Sequence, residues 1–211
     1  MHTLGKLRLF LRQFFLALPL LLTVLALGGC QKFRQTDMTP LNQAGMSFSS
    51  VEELRHLQVT DAEAQQLALA HQAGISDEGC VELIRIIHGR QETFGNGQDM
   101  AGLVRAGFAE DSILTLVRLN QLGLWTGEAQ AMRLANLSDE VILSVARRRA
   151  AGQTVLSSSK VADLRNAGLT EKEIIEQIQR GATDAEAEAI IARRRYLSGG
   201  HGFVRQSGRR R

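Results

Sequence analysis

Past residue 50, apolar residues recur at helical spacing in four short stripes: Cys80, Leu83, Ile84 and Ile87; Ile113, Leu116 and Val117; Ile142, Val145 and Ala146; Ile174, Ile175 and Ile178. Steps of three and four residues place each set on one side of an α-helix. The same short string precedes every stripe. It reads Ala73-Gly74-Ile75-Ser76-Asp77, Ala106-Gly107-Phe108-Ala109-Glu110, Ala135-Asn136-Leu137-Ser138-Asp139 and Ala167-Gly168-Leu169-Thr170-Glu171, at spacings of 33, 29 and 32 residues. Half-copies stand at Val59-Thr60-Asp61 and Ala182-Thr183-Asp184.

Each position in the string has a physical task. Gly74, Gly107 and Gly168, with Asn136 as substitute, suit the left-handed conformation that ends a helix. Ser76, Ser138, Thr60, Thr170 and Thr183 cap the helix that follows, and an acid comes next, at its positive pole. Glu63, Glu173 and Glu186 complete capping boxes with the three threonines. The apolar residue before each cap is spaced to staple onto one five positions later: Ile75 on Cys80, Phe108 on Ile113, Leu137 on Ile142, Leu169 on Ile174. Ala109 is a poor cap.

Second helices are expected near 98–106, 126–135 and 157–167, so the unit is a helical hairpin of about thirty residues that must stack on its neighbours to bury its faces. The fold class is all-α, a bundle or short solenoid of repeated hairpins. Three full spacings are few, which favours the compact bundle. Two prolines and 5% aromatics agree with helix over sheet.

The N-terminal segment has a different composition. His2, Lys6, Arg8 and Arg12 precede an apolar run from Phe14 to Leu27, broken only by Pro19 and Thr23. That is the order of an export signal, and the run is short of the ~20 residues a spanning helix needs. It ends in Leu27-Gly28-Gly29-Cys30, which resembles the lipobox of bacterial lipoproteins. The resemblance implies cleavage between Gly29 and Cys30, a diacylglyceryl group on the Cys30 sulfur and a further acyl chain on the new amine. Several chains give stable anchoring where one, at ~0.8 kcal/mol per buried CH2, is marginal. Gln31 stands where an aspartate retains enterobacterial lipoproteins in the inner membrane, so the resemblance favours the outer membrane, with the domain facing periplasm or exterior.

The chain then divides into a signal peptide (1–29), an acylated N-terminus and flexible tether (30–50), a helical repeat domain (51–197) and a basic, disordered tail (198–211). The tether lacks periodicity and contains Pro40 and Gly45; as coil it would reach about 25 Å. Ser50 and Glu53 read as the capping box that opens the folded part.

Charge sharpens this division. Removing Lys6, Arg8 and Arg12 with the signal leaves the mature chain neutral, but seven arginines and no acid follow Ile191. The body is therefore net acidic and its end basic. Arg193, Arg194 and Arg195 suit a helix C-terminus. Arg205, Arg209, Arg210 and Arg211 have no such use and are candidate contacts for an anionic partner.

Other residue types give little chemistry. Cys80 occupies a stripe position where the other copies have isoleucine and reads as a buried structural thiol. His56, His71, His88 and His201 lack metal-ligand spacing. Ser157-Ser158-Ser159-Lys160 has the serine–lysine order of some hydrolases but more simply caps a helix. Gly95-Asn96-Gly97 reads as an inter-helix turn, and the acid pairs at Asp77-Glu78, Glu110-Asp111 and Asp139-Glu140 as helix starts. No catalytic residue, metal or cofactor is assigned beyond the acyl chains on Cys30. The sequence reading is a membrane-anchored, non-enzymatic interaction module with an envelope protein or anionic polymer as partner, and no nucleic acid. The alternative is a small envelope enzyme acting on cell-wall glycan through glutamates in a cleft.

Overall fold

A computed structural model describes residues 36–123 and 125–199. Cys30, Gly29 and the tail arginines Arg205, Arg209, Arg210 and Arg211 lie outside the described residues. Within them are eleven helices: α1 (Thr39–Gln43), α2 (Phe48–His56), α3 (Asp61–Ala73), α4 (Asp77–Gly89), α5 (Gly97–Arg105), α6 (Glu110–Arg118), α7 (Thr126–Leu134), α8 (Asp139–Ala150), α9 (Ser158–Asn166), α10 (Glu171–Gln179) and α11 (Asp184–Gly199).

The fold is all-helical, as the repeat requires. The helices pair as hairpins, α1 with α2 through α9 with α10, and each also packs on the helix two along in the chain. Odd-numbered helices form one layer and even-numbered helices the other, with α11 closing the odd layer. Among the described residues no helix touches one further away. Of the two arrangements the repeat permits, the contacts follow the solenoid rather than the compact bundle.

The four staple pairs are all buried, Leu137, Ile142, Cys80, Ile113 and Ile174 completely. Gly74, Gly107, Asn136 and Gly168 have positive φ, between 55 and 117°. After each of them the next N–H reaches back to a carbonyl five residues earlier, as Ile75 does to Ala70 and Phe108 to Leu103. A second series of such turns joins the hairpins, with Gln58, Gln91, Asn120, Gly152 and Gly181 left-handed. The first series is the full motif; of the second, only the half-copies after Gln58 and Gly181 show in the sequence.

The folded part begins earlier than residue 51. Leu41 is fully buried, Met38 and Met46 nearly so, and the Thr36 hydroxyl donates to the Val59 carbonyl. Ala44-Gly45-Met46-Ser47 is a fifth copy of the turn, with Gly45 at φ 88° and Ser47 accepting from the Ser50 N–H. The helix cap is therefore Ser47, not Ser50, and Glu53 pairs with Arg85 of α4 instead of closing a box. At the other end α11 continues to Gly199, so Arg193, Arg194 and Arg195 sit inside the helix, not in its last turn.

Candidate functional site

The acids at helix starts have a task that the macrodipole alone does not specify. The first residue of each even helix from α4 to α10 is an acid that accepts the backbone N–H of the cap residue one repeat earlier. Ser47 donates to Asp77 (2.8 Å), Ser76 to Glu110 (2.7 Å), Ala109 to Asp139 (3.0 Å) and Ser138 to Glu171 (2.8 Å). In the odd layer Asp37 donates to Asp61 and Ser157 to Asp184. These amides have no partner within their own helix, so the next repeat supplies one.

At three caps that no acid follows, the cap closes on itself. Thr60 faces a helix that begins with Gly97, and Thr170 and Thr183 have no following helix in their layers among the described residues. All three donate their N–H to their own glutamate, Glu63, Glu173 or Glu186. The expected capping boxes are thus present, at one break in the odd layer and at the last described helix of each layer. Like Ser50, Ser138 departs from expectation: its hydroxyl makes no cap bond, although its N–H joins the ladder.

His71 and His88 tie repeats at the opposite helix ends. His71 lies between the Ala44 carbonyl (3.2 Å) and Asp77 (2.7 Å), and His88 between the Leu57 carbonyl (3.1 Å) and Glu63 (2.9 Å). Glu63 is 1% exposed and also accepts the Phe94 N–H at 2.9 Å. Burial alone would push its carboxyl up; hydrogen bonds from Thr60, Phe94 and His88 outweigh that and hold it below the usual carboxylate value. Asp77 is held low in the same way by Ser47 and His71, against its desolvation. Arg133 joins α7 to the preceding hairpin, donating to the Ala106 and Gly107 carbonyls and lying over the Phe108 ring at 5.6 Å.

A cleft of about 490 Å3 opens between α7 and α9. Gly127 and Ala131 on α7 and Ala162 on α9 leave the space, and Glu128, Arg149, Ser157, Ser158 and Ser159 edge it. Between α5 and α7 the corresponding room is taken, since the Gln130 side chain covers Gly102. Glu128 accepts from Ser158 Oγ at 2.5 Å and from Arg149 at 3.0 Å, while Arg149 stacks over Trp125 at 5.3 Å. Despite desolvation, these donors hold Glu128 low.

That geometry does not build the chemistries considered from sequence. Glycan hydrolysis uses two carboxyls about 5–9.5 Å apart, one raised to act as acid. The cleft lining holds Glu128 alone, paired and lowered. A serine–lysine nucleophile needs a neutral amine near the hydroxyl. Lys160 Nζ instead donates to Glu188 at 2.8 Å and faces Asp163, which holds it charged. Ser157 caps α9, as expected. Cys80 is fully buried and its thiol is pushed up to about 12, by burial first and then by the charges of Glu110 and Asp77. His56 is exposed, and His201 lies outside the described residues. Gly97 opens α5 pressed against the Gln66 backbone, which would clash with any Cβ.

No protein-family model, curated protein or solved structure matches the chain.

Proposed function

We propose that this chain is a lipid-anchored scaffold of the bacterial envelope, acting through non-enzymatic contacts. The anchor is Cys30, carrying a diacylglyceryl group and an N-acyl chain after cleavage following Gly29. The outer membrane is the favoured site, with the domain facing periplasm or exterior. The lipobox-like Leu27-Gly28-Gly29-Cys30 supports the anchor, and no described helix is long and apolar enough to cross a membrane.

The observation that carries the scaffold reading is how the polar chemistry is spent. Asp77, Glu110, Asp139, Glu171, His71, His88 and Glu63 hold one repeat to the next, which yields a stiff array with long outer faces. Repeat arrays of this type present extended surfaces to partners. An envelope protein or an anionic polymer is the partner class.

Mass spectrometry of the mature N-terminus tests the anchor. The expected product begins at an acylated Cys30, and Cys30→Ser leaves an uncleaved or unlipidated precursor. A free Cys30, or cleavage elsewhere, overturns the reading. Glu128→Gln tests the scaffold: cells carrying it should match the parent in any phenotype that deletion reveals. Loss of that phenotype with the fold intact would return the cleft to enzymology.

A further inference from the structure

Helices α5, α7 and α9 have nine residues each and align without a gap. In that register Met100, Ala129 and Val161 are equivalent, as are Leu103, Met132 and Leu164, and all of them are fully buried. The same register matches Gly102 to Ala131, Gln130 to Ala162 and Gln98 to Gly127. Between α5 and α7 the Gln130 amide nitrogen lies where a Cβ on Gly102 would stand. Between α7 and α9 the equivalent residue is Ala162, too short to cover Ala131. The next position has lost its side chain as well, and a Cβ on Gly127 would meet nothing within 4 Å. The cleft of about 490 Å3 is therefore a slot of the repeat from which the glutamine is missing.

Two faces of small residues would let the helices close up, and protein interiors leave few such voids. Here Glu128 spans the gap, accepting from Ser158 on α9 and from Arg149 on α8. That strut also decides which guest the slot admits. A guest carboxylate would meet the like charge of Glu128, and a guest ammonium that of Arg149. A neutral polar group meets neither. The slot offers it donors: the Ser157–Ser159 hydroxyl pair, which keeps one hydrogen to give, and the first N–H groups of α9, which have no partner within the helix. A carboxamide oxygen suits those donors, and the methylenes of a glutamine suit the floor of Gly127, Ala131 and Ala162. Among the described residues no aromatic ring lines the cleft to carry the C–H face of a sugar.

We propose that this cleft binds the side chain of a glutamine from an extended segment of an envelope protein, as Gln130 fills the slot between α5 and α7. It names the partner chemistry of the proposed scaffold and rests on that reading. The two fail separately, because peptide binding is read on the isolated chain, and Glu128→Gln keeps an oxygen for both donors of the strut.

The test uses the isotope-labelled mature chain, residues 30–211, with Cys30→Ser to keep it unacylated. The probe is the capped tripeptide acetyl-Ala-Gln-Ala-amide, compared with its Glu and Lys counterparts and with N-acetylglucosamine. In amide NMR spectra Gly127, Ser158, Ser159 and Ala162 are expected to shift with the glutamine peptide, while Gly102 stays still. The charged peptides should bind at least about tenfold more weakly. Ala162→Gln restores the missing side chain and should abolish the shifts, with the rest of the spectrum that of the parent. Gly127→Gln, whose side chain enters open space, blocks the same slot should the first variant fail to fold. Four results overturn the proposal: cleft amides unmoved by the glutamine peptide, charged peptides bound as tightly, full binding by a folded blocked variant, or N-acetylglucosamine shifting those amides where the peptide does not. The last would make the cleft a glycan site.

Discussion

Ser76 donates both its backbone N–H and its hydroxyl hydrogen to the two oxygens of Glu110, each at 2.7 Å, across 34 residues of sequence. This is the fullest rung of the ladder. It depends on Gly79, where a Cβ would run into the Glu110 carboxylate. In a helix interior alanine is normally better than glycine by about 1 kcal/mol.

That conflict gives a sign reversal to measure. Gly79→Ala should destabilise the parent by about 1 kcal/mol or more, since it drives Glu110 off Ser76. In a Glu110→Ala background, itself weakened by roughly 1–3 kcal/mol, the same change should stabilise. Urea unfolding of the four proteins decides the matter. The same sign in both backgrounds would falsify the rung.

The turns make a second, two-sided prediction. Gly107 and Gly168 have φ of +83 and +87°, so Gly107→Val and Gly168→Val should each lower stability by about 1 kcal/mol or more. Gln91 has φ +59° without being glycine. Gln91→Gly should therefore be neutral or stabilising, by up to about 1 kcal/mol, as relief of the left-handed strain offsets the added unfolded-state entropy. Thermal melts falling equally in all three variants would remove the left-handed account.

The third prediction is a pH dependence. Glu63 is held below its ordinary value in the folded state, so the folded chain binds its proton less readily than the unfolded chain. Its contribution is complete above the unfolded carboxyl value of about 4.5 and is lost as pH falls through the lower folded value. Glu63→Gln should cost about 1–3 kcal/mol at neutral pH. That deficit should shrink in acid, where the parent loses its own charged partner to Thr60, Phe94 and His88. A difference in stability that stays constant from neutral pH to pH 3 would show that the charge of Glu63 contributes nothing.

A fourth concerns the thiol. With Cys80 fully buried and raised to about 12, a mature chain carrying Cys30→Ser should resist a thiol-specific disulfide reagent at pH 8 until denaturant is added. Rapid labelling of the native protein would mean that α4 opens locally and that the staple of Ile75 on Cys80 is weaker than its packing implies.

Much of this was legible because it is local. The helix starts at Asp77, Asp139 and Glu171, the left-handed ends at Gly74 and Asn136, and the boxes at Thr60, Thr170 and Thr183 all rest on contacts within six residues. A linear pattern can display such signals whole. The first hairpin escaped because α1 has only five residues, too few to show a period, and because Phe48 stands where the other copies have an acid. The string Ala44-Gly45-Met46-Ser47 was the available clue. The cleft between α7 and α9 was not legible either, since it depends on Gly127, Ala131 and Ala162 meeting across two helices far apart in sequence.

The sequence by itself determined the repeat unit, its caps, its staples and the separation of an acidic body from a basic end. Tertiary structure alone decided that the hairpins stack as two open layers, and that Asp77 answers Ser47 and Glu110 answers Ser76. The reason is range. A cap or staple is satisfied by neighbours in the chain, so its residues appear together. An acid at a helix start is equally favourable facing water, its own dipole or another repeat's amide, and only the stacking of the layers selects among them.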